Sequence, residues 1–144
     1  MLHKFTIWTD GGSRGNPGPA AIGVVIEGAG DKKEYGENIG VTTNNVAEYQ
    51  AVIFALKKVK QLIGGAKAEK AHLVFYMDSE LLVKQLSHEY KVKEENIQKL
   101  FLEVHNLRLD FGKVEFKHVL RGKNTEADKL VNEVLDREAN RLNL

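Results

Sequence analysis

The sequence predicts an α/β domain in which a mixed, five-stranded sheet is flanked by helices. Near the start of the chain, three alternating or apolar segments are joined by short, glycine-containing connections, as in an antiparallel meander. Further along, apolar residues recur at helical spacing, and two predicted strands separate these helical segments, the first of them a nearly unbroken apolar run. The resulting order, βββαβααβα, describes one mixed sheet with helices packed on its faces.

Strands are predicted over residues 4–10, 20–27 and 33–39, where apolar residues alternate with polar ones or run nearly unbroken. Residues 11–19 contain both prolines of the chain, which indicates a loop between the first two strands. Residues 28–31 form the turn before the third strand.

A helix is predicted over residues 45–63, where Asn45 followed by Glu48 fits a capping box and Gly64 ends the helix. The remaining predicted elements are a strand over residues 72–78, helices over 79–88 and 94–110, a strand over 114–120 and a helix over 124–142.

Length and composition restrict the class of protein. The 144 residues suit one domain spanning the whole chain, and the net charge of +1 does not by itself indicate a polyanionic partner. The absence of Cys excludes disulfides, thiolate zinc sites and cysteine nucleophiles. No apolar run approaches the ~18 residues of a membrane span and no signal peptide is apparent, so we expect a cytoplasmic chain.

Four carboxylates lie at ends of predicted elements and face the predicted core. Asp10 ends the first strand and Asp78 ends the buried strand, so they emerge side by side if these strands are parallel neighbours. Glu48 and Asp128 each lie about one turn into a helix, on its apolar side. Hard oxygen ligands without Cys or suitably spaced His predict a site for Mg²⁺ or Mn²⁺.

Each carboxylate also has an ordinary structural explanation. Asp10 suits an Asx turn before two glycines, and Asp78 suits the entry of a helix. Glu48 suits the capping box, and Asp128 suits the positive end of a helix dipole. Their joint placement favours the metal site over four separate coincidences.

Four motifs follow one another in a characteristic order: TDGGSRGNPGPAAIG, TTNNVAEYQAVIFAL, YMDSELLVKQL and NTEADKLVNE. With them the chain resembles type 1 ribonuclease H over nearly its whole length. The combination of DGG with GNPGPA, and the pattern TNNxxAE, are the most specific parts. The resemblance implies a ribonuclease H-like fold, which agrees with the sheet predicted from the residues.

The resemblance also implies an endonuclease that cuts the RNA strand of RNA–DNA hybrids with two divalent ions, leaving 5′-phosphate and 3′-hydroxyl ends. The family's metal-binding and catalytic acids correspond to Asp10, Glu48, Asp78 and Asp128. Asp10 would bridge both ions, Asp128 would serve the attacking side, and the other two acids would serve the leaving side. Mg²⁺ is the expected cofactor, with Mn²⁺ as a substitute, since paired ions can neutralise charge on both reacting oxygens.

Substrate selection is expected from the loops around these acids. The glycine-rich segment 11–16 lets backbone amides approach the nucleic acid, and in the family this loop and the position of Asn44 touch RNA 2′-hydroxyls. Thr43 matches a residue that holds a DNA-strand phosphate, whereas Asn44 and Asn45 have helix capping as an alternative. The expected substrate-binding residues are Gly11, Gly12, Asn16, Thr43, Asn44 and Asn45.

The chain departs from many relatives by lacking a basic helical protrusion after residue 87, and we expect a compact form without an N-terminal hybrid-binding domain. Affinity for the hybrid is then expected from a smaller set of cations, which are Lys84, Lys91, Lys93, Arg121 and Lys123. The alternative is that these side chains only form a solvated surface. The family's product-release His is replaced by Arg121 or by His118. Arg121 is favoured because it lies in the loop before Asp128, whereas His118 falls within a predicted strand.

Other functions remain to be weighed. Resolvases and integrases share this fold, but the glycine-rich and TNNxxAE motifs favour ribonuclease H. A non-catalytic hybrid-binding module gains nothing from clustered negative charge opposite phosphates, and a purely structural domain has no reason for inward acids. We expect a monomer that needs no obligate protein partner and no membrane.

Overall fold

The computed structural model describes residues 3–142 of the chain. Its strands are β1 (His3–Ser13), β2 (Gly18–Gly28), β3 (Asp31–Thr42), β4 (Ala71–Met77) and β5 (Lys113–His118). Its helices are α1 (Asn44–Ile63), α2 (Gly65–Ala68), α3 (Glu80–Leu86), α4 (Glu95–Arg108) and α5 (Thr125–Leu142). The predicted order of elements is confirmed, with the four-residue helix α2 and a short 3₁₀ helix at Arg121–Lys123 as additions.

The five strands form one mixed sheet in the order β3-β2-β1-β4-β5, which confirms the predicted fold class. The first three strands are antiparallel, whereas β4 is parallel to both β1 and β5. In the β1–β4 register Trp8 pairs with Tyr76. Continued by two residues, this register brings Asp10 level with Asp78, which directly follows β4, as the sequence predicted for parallel neighbours.

The core lies on both faces of the sheet. Helix α1 buries Val52, Leu56 and Val59 against one face, where Ile7 and Phe75 are fully buried. Helix α5 packs on the other face of β1, β2 and β3. Its separate cluster of buried residues comprises Ala21, Val131, Val134 and Leu135. Within residues 3–142, no helix is long and apolar enough to cross a membrane.

The prediction that the first strand ends at Asp10 is wrong. Strand β1 continues to Ser13, because β2 extends its antiparallel ladder as far as the pair Ser13–Ala20. The connection between the two strands is therefore residues 14–17 alone. Asp10 lies inside an antiparallel pair, just beyond the point where β1 stops pairing with β4.

The predicted capping box at Asn45 and Glu48 is also wrong. The N-cap of α1 is Thr43, whose hydroxyl accepts a hydrogen bond from the Val46 N–H at 3.3 Å. Glu48 is five residues beyond this cap, outside the reach of a capping box, so another role must account for its side chain. The predicted end is confirmed: Gly64 follows α1 with a φ of 83°, a conformation that favours glycine.

Candidate active site

One cleft, at the edge of the sheet where β1 and β4 cease to pair, contains all four predicted acids. Its volume is about 520 Å³. The lining residues come from β1 and the residue after it, the start of α1, the residue that follows β4, the short turn before α5 and one side of α5. They are Asp10, Gly11, Gly12, Ser13, Arg14, Asn44, Glu48, Asp78, Arg121, Asp128, Val131, Asn132 and Leu135. The structure thus brings together side chains that are far apart in sequence.

Helix α1 reaches the cleft because Gly11 has no side chain. A Cβ atom at Gly11 would lie 2.3 Å from the backbone carbonyl oxygen of Ala47. This helix therefore rests directly on the backbone of β1, a close approach that only glycine allows. Because Glu48 follows Ala47, the contact sets how far the Glu48 carboxylate extends over the strand.

On the opposite face of the sheet, helix α5 also rests on a glycine. Gly23 of β2 pairs with Asp10, and a Cβ atom at Gly23 would lie 2.2 Å from the carbonyl oxygen of Ala127. Asp128 follows Ala127, so this second glycine sets the position of the fourth acid. Two glycine contacts therefore bring two helices, each with one carboxylate, towards Asp10.

The carboxyl of Asp10 is the most perturbed acid of the cleft. Burial raises its pKa first, and the charges of Asp78, Asp128 and Glu48 raise it further, to about 8. A hydrogen bond from the Gly11 backbone N–H opposes the shift only in part. At neutral pH, in the absence of a cation, Asp10 is mainly protonated.

The pKa of Glu48 is raised to about 7, chiefly by burial and then by the charge of Asp78. A hydrogen bond with the Ser79 side chain works in the opposite direction. Like charges gathered in a partly buried cleft repel each other, and a bound cation would favour the ionised forms of both acids. The electrostatics of the cleft are therefore those of a site for cations.

The donor chemistry fits a hard divalent ion, since four carboxylates share the cleft without Cys or His among its lining residues. Within the described part of the chain, however, no three acidic or histidine side chains are arranged so that they could hold one ion. The support for a metal thus comes from donor type and electrostatics, and coordination would require rotation of these side chains.

The predicted substrate residues Asn16 and Asn44 hold the glycine-rich segment against α1. The Asn44 backbone N–H donates to Asn16 Oδ1 at 3.0 Å, and the Ser13 N–H donates to Asn44 Oδ1 at 2.9 Å. Asn44 and Gly12 line the acidic cleft, whereas Asn16 does not. The loop is thereby held in place by side-chain amides at both ends.

Asn45 lies in a neighbouring cavity of about 500 Å³ that shares Glu48 with the acidic cleft. Lys91 and Lys93, two of the predicted cations, line this cavity, and the Lys84 ammonium lies 5.1 Å from the ring centre of Tyr90 beside it. Lys123 is placed elsewhere, next to Trp8. The predicted cations therefore do not form a single patch.

Of the two candidates for the product-release residue, the structure places Arg121 in the cleft. Its Nη2 atom lies 3.8 Å from Asp128 Oδ1, and its side chain is 83% exposed. His118 ends β5, is exposed and is not among the residues lining the cleft.

Sequence reasoning missed Asn124, which fastens the start of α5 to β1. Its side-chain amide donates to the Thr9 carbonyl oxygen at 2.9 Å, and its own backbone carbonyl accepts from the Asp128 N–H at 3.1 Å. Asn124 is 1% exposed, and its Oδ1 atom is buried without a hydrogen-bond partner. The only available signal was its position at the start of the NTEADKLVNE motif.

Replacing Asn124 by Ala is expected to lower the free energy of unfolding by about 1–3 kcal/mol, because the buried Thr9 carbonyl loses its side-chain donor. We also expect cleavage to weaken, since Asp128 is no longer held next to β1. Urea unfolding of Asn132→Ala is the control, because Asn132 makes an exposed amide-to-backbone bond on the same helix at 3.1 Å. Equal stabilities of the two variants would contradict this role.

The sheet order and the acidic cleft define an α/β protein of the ribonuclease H-like class. The family model described as reverse transcriptase-like matches residues 8–134. A ribonuclease H1 isolated from compost by a metagenomic approach is 42% identical, with a TM-score of 0.87 over 96% of this chain and 99% of that one. The chain therefore belongs to the type 1 ribonuclease H family.

A second relative supports the same family assignment. The N-terminal ribonuclease H domain of a Mycobacterium tuberculosis protein is 37% identical, with a TM-score of 0.86 over 97% of this chain and 99% of that one. The bifunctional protein from which that domain comes is 40% identical over 139 residues, which are 94% of this chain and 36% of that protein. The chain thus spans little more than a third of the length of this curated relative.

Proposed function

We propose that the chain is an endoribonuclease that hydrolyses the RNA strand of RNA–DNA hybrids with the help of two divalent ions. The observation that carries this proposal is the meeting of four carboxylates in one cleft, with the pKa of Asp10 raised to about 8. Its family relationship adds support, because the compost ribonuclease H1, 42% identical, has been solved in complex with an RNA/DNA hybrid.

The four acids are the proposed metal ligands. Asp10 interacts with the charges of the other three, so we assign it to both ions. Glu48 and Asp78 interact with one another and are assigned to one ion, which leaves Asp128 for the other. Mg²⁺ or Mn²⁺ bound there would lower the pKa of a water nucleophile and neutralise charge at the phosphate. Cleavage would leave 5′-phosphate and 3′-hydroxyl ends.

Asn44 is the proposed contact that distinguishes RNA from DNA. Asn44 lines the cleft, and its Oδ1 accepts a hydrogen bond from the Ser13 N–H, which orients the amide and leaves its NH₂ group available as a donor. A ribose 2′-hydroxyl can accept such a hydrogen bond, and deoxyribose has no equivalent group. Gly12 lies beside it, and the absence of a side chain there leaves room for a sugar.

The other substrate contacts are proposed to hold backbone phosphates and the groove. The Thr43 hydroxyl accepts from Val46 as the helix cap and retains its own proton for a DNA-strand phosphate. Asn16, at the end of the glycine-rich segment, and Asn45, in the first turn of α1, are proposed as polar contacts to the substrate groove. Arg121 is proposed to help product release, because its guanidinium is 83% exposed and lies 3.8 Å from Asp128 in a long, solvated ion pair that holds it weakly.

The experiment that tests the proposal is incubation of the chain with an RNA–DNA hybrid labelled on either strand. With Mg²⁺ or Mn²⁺ we expect cutting of the RNA strand alone, with 5′-phosphates on the fragments, and none with a chelator present. Double-stranded DNA is the control that separates this activity from that of resolvase-like nucleases. Cutting of the DNA strand, or cutting that continues without divalent ions, would contradict the proposal; binding without any cutting would indicate a non-catalytic module.

A further inference from the structure

Arg14 lines the acidic cleft and connects the β1–β2 loop to α5 through its side chain. Its Nη2 atom lies 2.5 Å from Asp136 Oδ1, although the two residues are 122 positions apart in sequence. Asp136 lies about two turns beyond Asp128 on the same helix. The guanidinium of a cleft-lining residue is thus held by a carboxylate that is not itself among the residues lining the cleft.

This ion pair contributes little to the fold. The side chains of Arg14 and Asp136 are 43% and 64% exposed, and exposed pairs are worth about 0–1 kcal/mol. The loop is held instead by the bonds of Asn16 and Asn44, described above, and by the Arg14 backbone N–H, which donates to the Pro19 carbonyl at 2.8 Å. The Arg14 side chain can therefore change partner while the loop stays in place.

The charge balance of the cleft gives Arg14 a second available partner. Among the lining residues described, the cations are Arg14 and Arg121, and each is paired with a carboxylate of α5. A polyanionic strand that enters a cleft with four acids needs cationic contacts at its rim. A guanidinium can bind a phosphodiester through two parallel hydrogen bonds, and the exposed Asp136 carboxylate holds it only weakly in competition.

We propose that Arg14 is a substrate-anchoring residue that exchanges Asp136 for a phosphodiester of the bound nucleic acid. Asp136 then acts as a competing anion that keeps Arg14 extended towards α5 in the free chain and lowers its affinity for substrate. This inference rests on the proposed function, since it requires nucleic acid in the acidic cleft.

The test is the Kd for a fluorescently labelled hybrid, measured by anisotropy at several salt concentrations with Ca²⁺ in place of Mg²⁺. Arg14→Gln is expected to weaken binding about tenfold and to reduce the slope of log Kd against log salt by about 1. Asp136→Asn is expected to tighten binding about threefold at low salt. In the Arg14→Gln background, Asp136→Asn should have no effect, because its partner is absent.

The matched control is Glu133→Gln, which removes the same charge from α5 at a residue paired with Lys129 at 3.9 Å. Tightening by this variant equal to that of Asp136→Asn would overturn the proposal in favour of a general effect of charge. An unchanged Kd and salt slope in Arg14→Gln would also overturn it. Because binding is measured separately from cleavage, a chain that binds the hybrid without cutting it contradicts the proposed function alone.

Discussion

Asp10→Asn is expected to abolish metal-dependent cleavage of the hybrid, by about a thousandfold or more, and to stabilise the metal-free chain. Asn keeps the size of the side chain but removes the charge that faces Asp78, Asp128 and Glu48. Without that carboxylate, no group remains between the other acids to bridge two ions. The loss of activity and the gain in stability thus have the same electrostatic cause.

The sign of the stability effect follows from the raised pKa. The folded chain binds the Asp10 proton more tightly than the unfolded chain, whose Asp has its ordinary pKa of 3.8. This group therefore contributes stability at pH values below about 4, and that contribution is lost as the pH rises towards about 8. Glu48 acts in the same direction up to about pH 7.

Urea unfolding with a chelator at pH 5 and pH 8 measures this effect. At pH 8, Asp10→Asn is expected to exceed the wild type by about 1–3 kcal/mol, a range reduced for the partial solvation of the cleft. Asp31→Asn is the control: Asp31 is exposed, hydrogen bonding with Lys32 and Lys33 lowers its pKa, and its replacement should bring no such gain. Mg²⁺ should raise the melting temperature of the wild type more than that of Asp10→Asn.

Two outcomes would contradict this account of Asp10. If Asp10→Asn is less stable than the wild type at pH 8, the four acids do not repel one another as described. If the variant cleaves the hybrid at an undiminished rate, Asp10 does not hold the catalytic ions.

Gly11→Ala is expected to be among the most destabilising single-methyl substitutions in the chain, lowering the free energy of unfolding by about 3 kcal/mol. Its Cβ would lie 2.3 Å from the backbone of Ala47, and a backbone atom cannot move aside as a flexible side chain can. Helix α1 must shift away from β1, and Glu48 shifts with it. We therefore expect the cleavage rate to fall together with stability.

Gly12→Ala is the matched control for stability. The nearest atom to a Cβ at Gly12 is a side-chain methyl of Val131 at 3.7 Å, an ordinary contact. The two neighbouring glycines therefore separate the effect of an added methyl group from that of the close approach of α1. Urea denaturation of both variants checks this, and equal losses of stability would show that α1 does not depend on Gly11.

Much of the fold could be predicted because it is encoded in local patterns. The apolar period of residues 45–63 and the glycine at position 64 specify a helix and its end, whichever strands it packs against. The order of three strands followed by alternating helices and strands leaves few topologies for one sheet. The motifs were enough to identify the family, and the family model confirms it.

Local patterns failed to predict the N-cap of α1 and the end of β1. Thr43 and Asn45 are both good helix caps, and the structure uses Thr43 while Asn16 binds the Asn44 backbone N–H. Likewise, the carboxylate of Asp10 suggested the end of a strand, yet its antiparallel neighbour β2 carries the ladder three residues further. In both cases the outcome depended on a partner outside the local segment.

From the sequence alone came the class of fold, the family and the identities of the four acids. The tertiary structure decided how the pKa values of those acids are shifted, which arginines line their cleft, and which polar groups hold the surrounding elements in place. Arg14 meets Asp136 and Asn124 meets Thr9 across separations of 122 and 115 residues. Periodicity and turn residues specify structure over a few neighbouring positions. The burial and charge interactions of the acids depend instead on how closely whole helices approach the sheet. At Gly11 and Gly23 that distance is set by the packing of a helix backbone against a strand.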